Sequence, residues 1–214
     1  MEKYDEEYFE MGTVTGKSCY SNYHWMPEKT IRAVHYLIEY MGLRMGDSLL
    51  DFGCAKGYYV KAFRMLGIDA FGVDISEYAI SQAPEDVRKY VGKLNGPDET
   101  FFTGRDYEWF FTKDTLEHME VEELGNLLAD AAKFFPKAFH IIPLGNGTNF
   151  YCPENNNDTT HQIRETYDWW IRTFAFCGWR LKSFTFQIPG IKEEHYRTHP
   201  EGHGFFLLER IEEE

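Results

Sequence analysis

The stretch "SLLDFGCAKGYYVKAF", Ser48 to Phe63, decides how this chain folds. An apolar pair, Leu49-Leu50, leads into Asp51-Phe52 and stops at two glycines, Gly53 and Gly57, which bracket Cys54, Ala55 and Lys56. A helical pattern begins at once, at Tyr58. Packing alone explains two glycines between a strand and a helix less readily than a ligand does, because a glycine turn from strand to helix sets bare backbone amides at the helix N-terminus against a bound molecule, and glycine permits positive φ and close approach. About 20 residues further on, "FGVDIS" puts Asp74 at the end of a second strand, where a carboxylate accepts both hydroxyls of a ribose. Strand, DxGxxxG, helix, strand and Asp, in that order, are far more specific than a lone glycine loop.

The 214 residues allow one large core, and 43% hydrophobic content is ordinary for a globular chain. A net charge of −13 argues against broad, sequence-independent nucleic-acid binding, which needs a basic surface. No apolar run is long enough to span a membrane, and the opening "MEKYDEEYFE" is acidic where a secretion signal is basic and then apolar. Cys19, Cys54, Cys152 and Cys177 are far apart, with no CxxC pair, so a reducing cytoplasm is the expected home.

There is no internal repeat and no low-complexity linker, and residues 1–214 read as one domain with a polar, aromatic N-terminal segment over 1–27. Periodicity predicts helices over Glu28–Met41, Tyr58–Leu66, the segment 75–91 with an interruption at Pro84, 121–135 and 164–178. Strands are expected at Ser48–Phe52, Ala70–Val73, 107–112 and 138–144, and a final hairpin at 179–188 and 204–211 carries a long polar loop. Alternation of strand and helix favours a parallel sheet covered on both faces.

"LLDFGCAKG", "AFGVDIS" and "WFFTKDTLEHM" resemble the first, second and fourth motifs of class I S-adenosylmethionine-dependent methyltransferases, over roughly Arg44 to Ile142. The resemblance implies an α/β fold, a Rossmann-like three-layer sandwich with a seven-stranded, mostly parallel sheet and an antiparallel last strand. It also implies S-adenosyl-L-methionine as cofactor. Asp51, Gly53, Cys54 and Gly57 are then expected around the methionine moiety, Asp74 on the ribose and Ile75 on the adenine. Many members carry a third glycine where Ala55 stands, and alanine fits there if its φ is negative. Lys56 is expected to be solvated. In this family the N-terminal segment often folds over the cofactor as a lid, which makes Tyr20 and Tyr23 cofactor-contact candidates.

Methyl transfer from a sulfonium is an in-line displacement, so the acceptor must be aligned and, if a hydroxyl, must lose its proton. "KDTLEHM" offers Asp114, Glu117 and His118 just past the fourth strand, with spacing that brings three side chains to one point if Thr115 opens a helix. DxxEH is similar to the ExxEH metal-binding segment of two methyltransferase groups, one acting on catechol oxygens in ubiquinone synthesis and one on the 2′-hydroxyl of small-RNA ends. By that likeness His161, in "NDTTHQIRETYDWW", would complete a site for Mg²⁺, Mn²⁺, Fe²⁺ or Co²⁺. Three readings stay open: a metal site of Asp114, Glu117, His118 and His161; a metal-free catalytic pair with His118 as base beside Asp114; and a capping box in which Asp114 and Glu117 only start a helix.

The loop "EEHYRTHPEGHG" adds Tyr196, Arg197, His199 and His203 as candidate substrate contacts, with His199 a candidate base, and Asn146 and Asn149 share that edge. The expected activity is methyl transfer to an oxygen of a small or sugar-like molecule. An RNA-end 2′-O-methyltransferase, a small-amine N-methyltransferase and an inactive cofactor-binding protein are the alternatives.

Overall fold

The computed structural model describes residues 3–94 and 105–212. Seven strands form one sheet: β1 (Ser48–Phe52), β2 (Asp69–Asp74), β3 (Val91–Lys93), β4 (Trp109–Lys113), β5 (Lys137–Pro143), β6 (Trp179–Thr185) and β7 (His203–Arg210). Their order across the sheet is β3-β2-β1-β4-β5-β7-β6. All neighbours are parallel except at β7, which runs antiparallel to both β5 and β6. The expected sheet is therefore present, and β6 points the same way as the first five strands.

Strand composition follows from burial on two faces. In β4, Trp109 and Phe111 pack into one core while Phe110 packs into the other, the two-residue alternation of a pleated strand. Behind one face lie α3 (Pro27–Met41) and α4 (Tyr58–Met65), which present Val34, Leu37 and Phe63 to the sheet. Against the other face lie α6 (Val121–Phe134) and α7 (Tyr167–Phe176), with Leu124, Leu128, Trp170 and Phe174. Pro27 at the first turn and Gly42 in the left-handed conformation bound α3, as helix-end preferences require. Two short N-terminal helices, α1 (Glu6–Glu10) and α2 (Gly12–Thr15), come first, and α1 packs Tyr8 and Phe9 against Ala79. Among the described residues no helix is long and apolar enough to cross a membrane.

The segment 75–91 departs from expectation. Only α5 (Glu77–Ser81), capped by the Ser76 hydroxyl, is α-helical; a 3₁₀ turn at Arg88–Tyr90 then leads into β3. Pro84 ends the helix, and β3 is too short to show an alternation of its own.

The parallel order opens in both directions from β1, toward β2 on one side and β4 on the other. That reversal leaves a crevice beyond the C-terminal ends of β1 and β4, the place where open α/β sheets bind ligands.

Two glycines have opposite roles. A Cβ on Gly145 falls 2.4 Å from the Arg164 carbonyl oxygen and 2.5 Å from that of Asn149, whereas one on Gly125, within α6, meets nothing within 4 Å. In urea denaturation Gly145→Ala is expected to lose about 1–3 kcal/mol from overpacking, and Gly125→Ala to gain about 0.5–1 kcal/mol from helix propensity. His140, fully buried in β5 with Nδ1 2.9 Å from the Thr112 hydroxyl, sets part of the acid limit. Burial pushes its pKa from the ordinary 6.5 down to about 3, so the unfolded chain takes up a proton that the folded chain refuses. The stability it contributes is present above 6.5 and is lost as pH falls toward 3; His140→Phe should move the acid-unfolding midpoint to lower pH.

Candidate functional site

The loop after β1 is fixed by β2. The amides of Gly53 and Cys54 both donate to the Val73 carbonyl, at 2.8 and 3.0 Å. Asp74 holds the next turn: one carboxylate oxygen accepts the Ala55 amide at 2.7 Å and the other accepts the Ser76 amide at 2.8 Å. Ala55 lies at φ +49°, not at the negative φ expected, and the charge-assisted bond from its own N–H to Asp74 offsets the strain of a left-handed alanine. Gly53, at φ +84°, has no room for a side chain because a Cβ would sit 2.4 Å from both Oγ1 and Cγ2 of Thr115. The loop after β1 and the turn after β4 thus pack directly on each other.

Asp51, Gly53, Cys54, Asp74 and Ile75 line a cavity of about 510 Å³. Gly57 does not. It caps α4 at φ +75°, and a Cβ there would point at Val91, 2.9 Å from Cγ1. It lets the chain enter α4. Burial, with the charge of Asp74 adding and Lys113 opposing, pushes the Asp51 carboxyl up to about 8. A cationic ligand group beside it favours the ionised form.

The N-terminal segment closes this cavity with Tyr4, Tyr8, Phe9, Tyr20 and Tyr23. Their rings pack edge-to-face or stacked, Tyr20 against Tyr23 at 4.9 Å and Phe9 against Tyr78 at 6.2 Å between centroids. Lys56 is buried instead of solvated. Its ammonium pairs with Glu10 at 2.5 Å and donates to the Tyr23 carbonyl at 2.7 Å, so a residue of the glycine loop ties down the segment above it. The sequence contains no spacing that links Lys56 to Glu10, and this contact was not foreseeable from it.

A second cavity, of about 460 Å³, adjoins the first and shares Tyr8, Tyr20, Tyr23, Lys113, Asp114 and His118 with it. After β4 the chain makes a 3₁₀ turn, Leu116–His118, with Asp114 at φ +51° ahead of it. The capping box, one of the three open readings, is not formed by Asp114 and Glu117. Glu120 and Glu123 form one at the start of α6, while Asp114 pairs with Lys113 at 2.5 Å and Lys192 at 2.8 Å. Burial works to raise the Asp114 pKa, but the two ammonium groups prevail and hold it well below the ordinary carboxylate range.

Glu117 has the opposite environment. It is fully buried, and among the described residues neither carboxylate oxygen has a hydrogen-bond partner. Burial first, and then the charge of Asp114, push its pKa well up. The Glu117 carbonyl accepts the amides of Gln162 and Ile163 at 2.7 and 3.0 Å, which seats His161 beside it with Nε2 3.8 Å from the Glu117 carboxylate. His118 and His161 face each other at 4.5 Å between ring centroids. His161 Nδ1–H donates to the Asn155 carbonyl at 2.7 Å. The Thr160 hydroxyl donates to Asp158 at 2.5 Å and so accepts from His118 Nδ1–H at 2.8 Å. Both rings therefore keep an Nε2 lone pair. Burial, with His161 beside it, drives the His118 pKa to about 3, so the ring is neutral.

Glu117, His118 and His161 thus present three ligand atoms within 4.8 Å of one another, and Asp114 stands outside that group, held by its lysines. A carboxylate and two neutral imidazoles with oriented outer partners suit a divalent cation, and the unpartnered buried carboxylate lacks just such a charge. Asp158 and Thr160, which orient His118, carry no motif of their own in the sequence; their nearness to His161 in "NDTTHQ" is the one signal that points to them.

The late histidine loop contributes less than expected. His195 and Lys192 line the second cavity, but His199 and Arg197 line neither. Tyr196 serves the loop itself, its hydroxyl bonding the backbone of Ile188 and Ile191, and His203 is buried in β7. Asn146 and Asn149 are exposed in a turn closed by the Asn146 side chain and line neither cavity. Glu154 is held below the ordinary carboxylate range, most by the Cys152 thiol, next by its own amide, and less by His195 and His199.

Placing a ribose on Asp74 predicts that Asp74→Ala weakens binding of S-adenosylmethionine by about 1–3 kcal/mol, the scale of lost charge-assisted hydrogen bonds. Calorimetric titration measures it, and an unchanged affinity in folded protein contradicts the placement.

A family model described as a methyltransferase domain matches residues 23–170. No curated protein matches the sequence. Solved structures share the fold: a methyltransferase in complex with the Haloferax volcanii activator Trm112 (14% identity, 87% of this chain and 92% of that one, TM-score 0.65); geranyl diphosphate C-methyltransferase from Streptomyces coelicolor A3(2) with Mg²⁺, geranyl diphosphate and S-adenosyl-L-homocysteine (15%, 83% and 75%, 0.61); and mitomycin 7-O-methyltransferase MmcR (11%, 93% and 65%, 0.58). With a family match over more than half of its length, on a sheet and glycine loop of the matching kind, this chain belongs to the class I S-adenosylmethionine-dependent methyltransferases.

Proposed function

We propose that this methyltransferase acts on an oxygen of a small or sugar-like acceptor, with a divalent cation held by Glu117, His118 and His161. The single observation that carries the reading is the Glu117 carboxylate: fully buried, hydrogen-bonded to nothing among the described residues, and facing two neutral imidazoles where the two cavities meet. An isolated buried carboxylate is costly, and a cation or a proton must compensate it. When bound, Mg²⁺, Mn²⁺, Fe²⁺ or Co²⁺ would supply Lewis acidity that lowers the pKa of an acceptor hydroxyl.

The remaining work falls to the chain. The first cavity receives the cofactor, with Asp74 on the ribose, Ile75 against the adenine, and Asp51 beside the positively charged methionine end. Tyr20 and Tyr23, which border both cavities, exclude water and restrict the acceptor to one approach, supporting a lid role for the segment 1–27 of a single domain; residues 3 onward of that segment are described. Asp158 and Thr160 fix the imidazole of His118, and Lys113 and Lys192 keep Asp114 ionised. A 460 Å³ acceptor cavity suits a small molecule better than a polymer.

The test is methyl transfer to a panel of hydroxylated acceptors, catechols and sugars included, before and after chelation. Chelation is expected to abolish turnover and Mn²⁺ or Mg²⁺ to restore it, and Glu117→Gln should cost about 100-fold or more while cofactor binding persists. Full activity in EDTA and in Glu117→Gln together would remove the metal reading, and transfer to amines alone would remove the oxygen reading.

A further inference from the structure

A different group of residues, on the outer wall of the acceptor cavity, remains without a role. Cys152 is completely buried, with Sγ 3.0 Å from the Glu154 carboxylate and 3.3 Å from His195 Nδ1. The three ligand atoms lie within 4.8 Å of one another. Zinc bonds of about 2.0–2.3 Å place tetrahedral donors about 3.3–3.8 Å apart. The metal-free spacing is close to that, so small side-chain shifts close the site.

We propose that Cys152, Glu154 and His195 form a second, thiolate-containing site for a Zn²⁺-class cation, chemically separate from the Glu117 cluster. The donors come from two segments that the sequence holds 43 positions apart and the fold brings together. Each segment is ordered independently. Cys152 and Glu154 sit at the start of the 3₁₀ turn Pro153–Asn157. His195 lies on a turn anchored by Lys192, which pairs with Asp114, and by Tyr196, whose hydroxyl holds Ile188. His203 lies beyond, 5.8 Å from His195 between ring centroids and next to Asn155 at 3.4 Å, which leaves the fourth position to water or to that ring. Binding forms a sulfur–metal bond, and the thiol proton leaves to solvent; no oxidation is involved. A soft thiolate selects Zn²⁺ or Co²⁺ over Mg²⁺, which distinguishes this site from a hard-cation one.

The position gives the site a consequence. Asn155, within the same 3₁₀ turn, accepts the Nδ1–H of His161 through its carbonyl and faces His203 through its amide. A cation joining Cys152 to His195 therefore clamps the loop 186–202 onto the turn that orients His161, and stiffens the acceptor-cavity wall on which Glu154, Asn155 and His195 lie.

Titration of the metal-free full-length protein with Co²⁺ tests this directly. The expected result is the thiolate-to-cobalt charge-transfer band in the near ultraviolet, displaced by Zn²⁺, and lost in Cys152→Ser. His195→Ala should weaken Co²⁺ binding about tenfold or more. The band is expected to survive in Glu117→Gln, which separates this site from the one proposed for the reaction, and in Cys19→Ser, whose thiol bonds the Glu154 carbonyl at 3.1 Å. No charge-transfer band in the wild-type protein overturns the proposal whatever the variants do, and so does a band that persists in Cys152→Ser or vanishes in Cys19→Ser.

Discussion

The carboxylate of Asp74 is the contact on which the rest of the site depends. It stands at the C-terminal end of β2 and takes the amides of Ala55 and Ser76, one on each oxygen. Through Ala55 it holds a left-handed alanine in the glycine loop, and through Ser76 it starts α5, whose helix cap is the Ser76 hydroxyl. One residue thus sets the shape of the loop, the beginning of the next helix and a polar edge of the first cavity. Thr115 completes the arrangement from β4: its side chain fills the space that any residue but glycine would need at Gly53.

Closure of the cavity rests on a buried cation. Lys56 sits under a roof of aromatic rings, paired with Glu10 from α1 and with the Tyr23 carbonyl. Removing an ammonium group from water is costly unless it is paired and hydrogen-bonded, and both conditions are met. The roof and the loop are therefore fastened together at a buried, paired ammonium group.

Beyond β4, two carboxylates three residues apart have opposite fates. Asp114 has two lysines and stays ionised; Glu117 has none and is driven toward its protonated form by burial and by the charge of Asp114. Environments that push two acidic groups apart in this way are what a site needs if one is to act as a fixed charge and the other as a ligand or proton carrier. Sequence spacing joined Asp114, Glu117 and His118, and the family likeness added His161. The fold keeps the last three together and assigns the first to Lys113 and Lys192.

Local pattern carried the fold a long way. The run Leu49–Phe52, the glycines after it and Asp74 lie close together in the chain, and their physics is mostly local: an apolar strand buried on both faces, a turn that needs positive φ, a carboxylate at a strand end. The alternation of elements, the parallel sheet and the final hairpin were legible for the same reason, while the antiparallel last strand of a seven-stranded sheet followed from the family resemblance. The short strand β3, the sign of φ at Ala55, the burial of Lys56 and the separation of Asp114 from Glu117 were not. Each depends on a partner far away in sequence: Val73 and Gly72 for β3, Asp74 for Ala55, Glu10 for Lys56, Lys192 for Asp114. The chain by itself determined the longer strands and helices and the glycine loop after β1, because those follow from neighbouring residues; only the tertiary structure decided which charges are neutralised, since that depends on which distant groups share the same dry space.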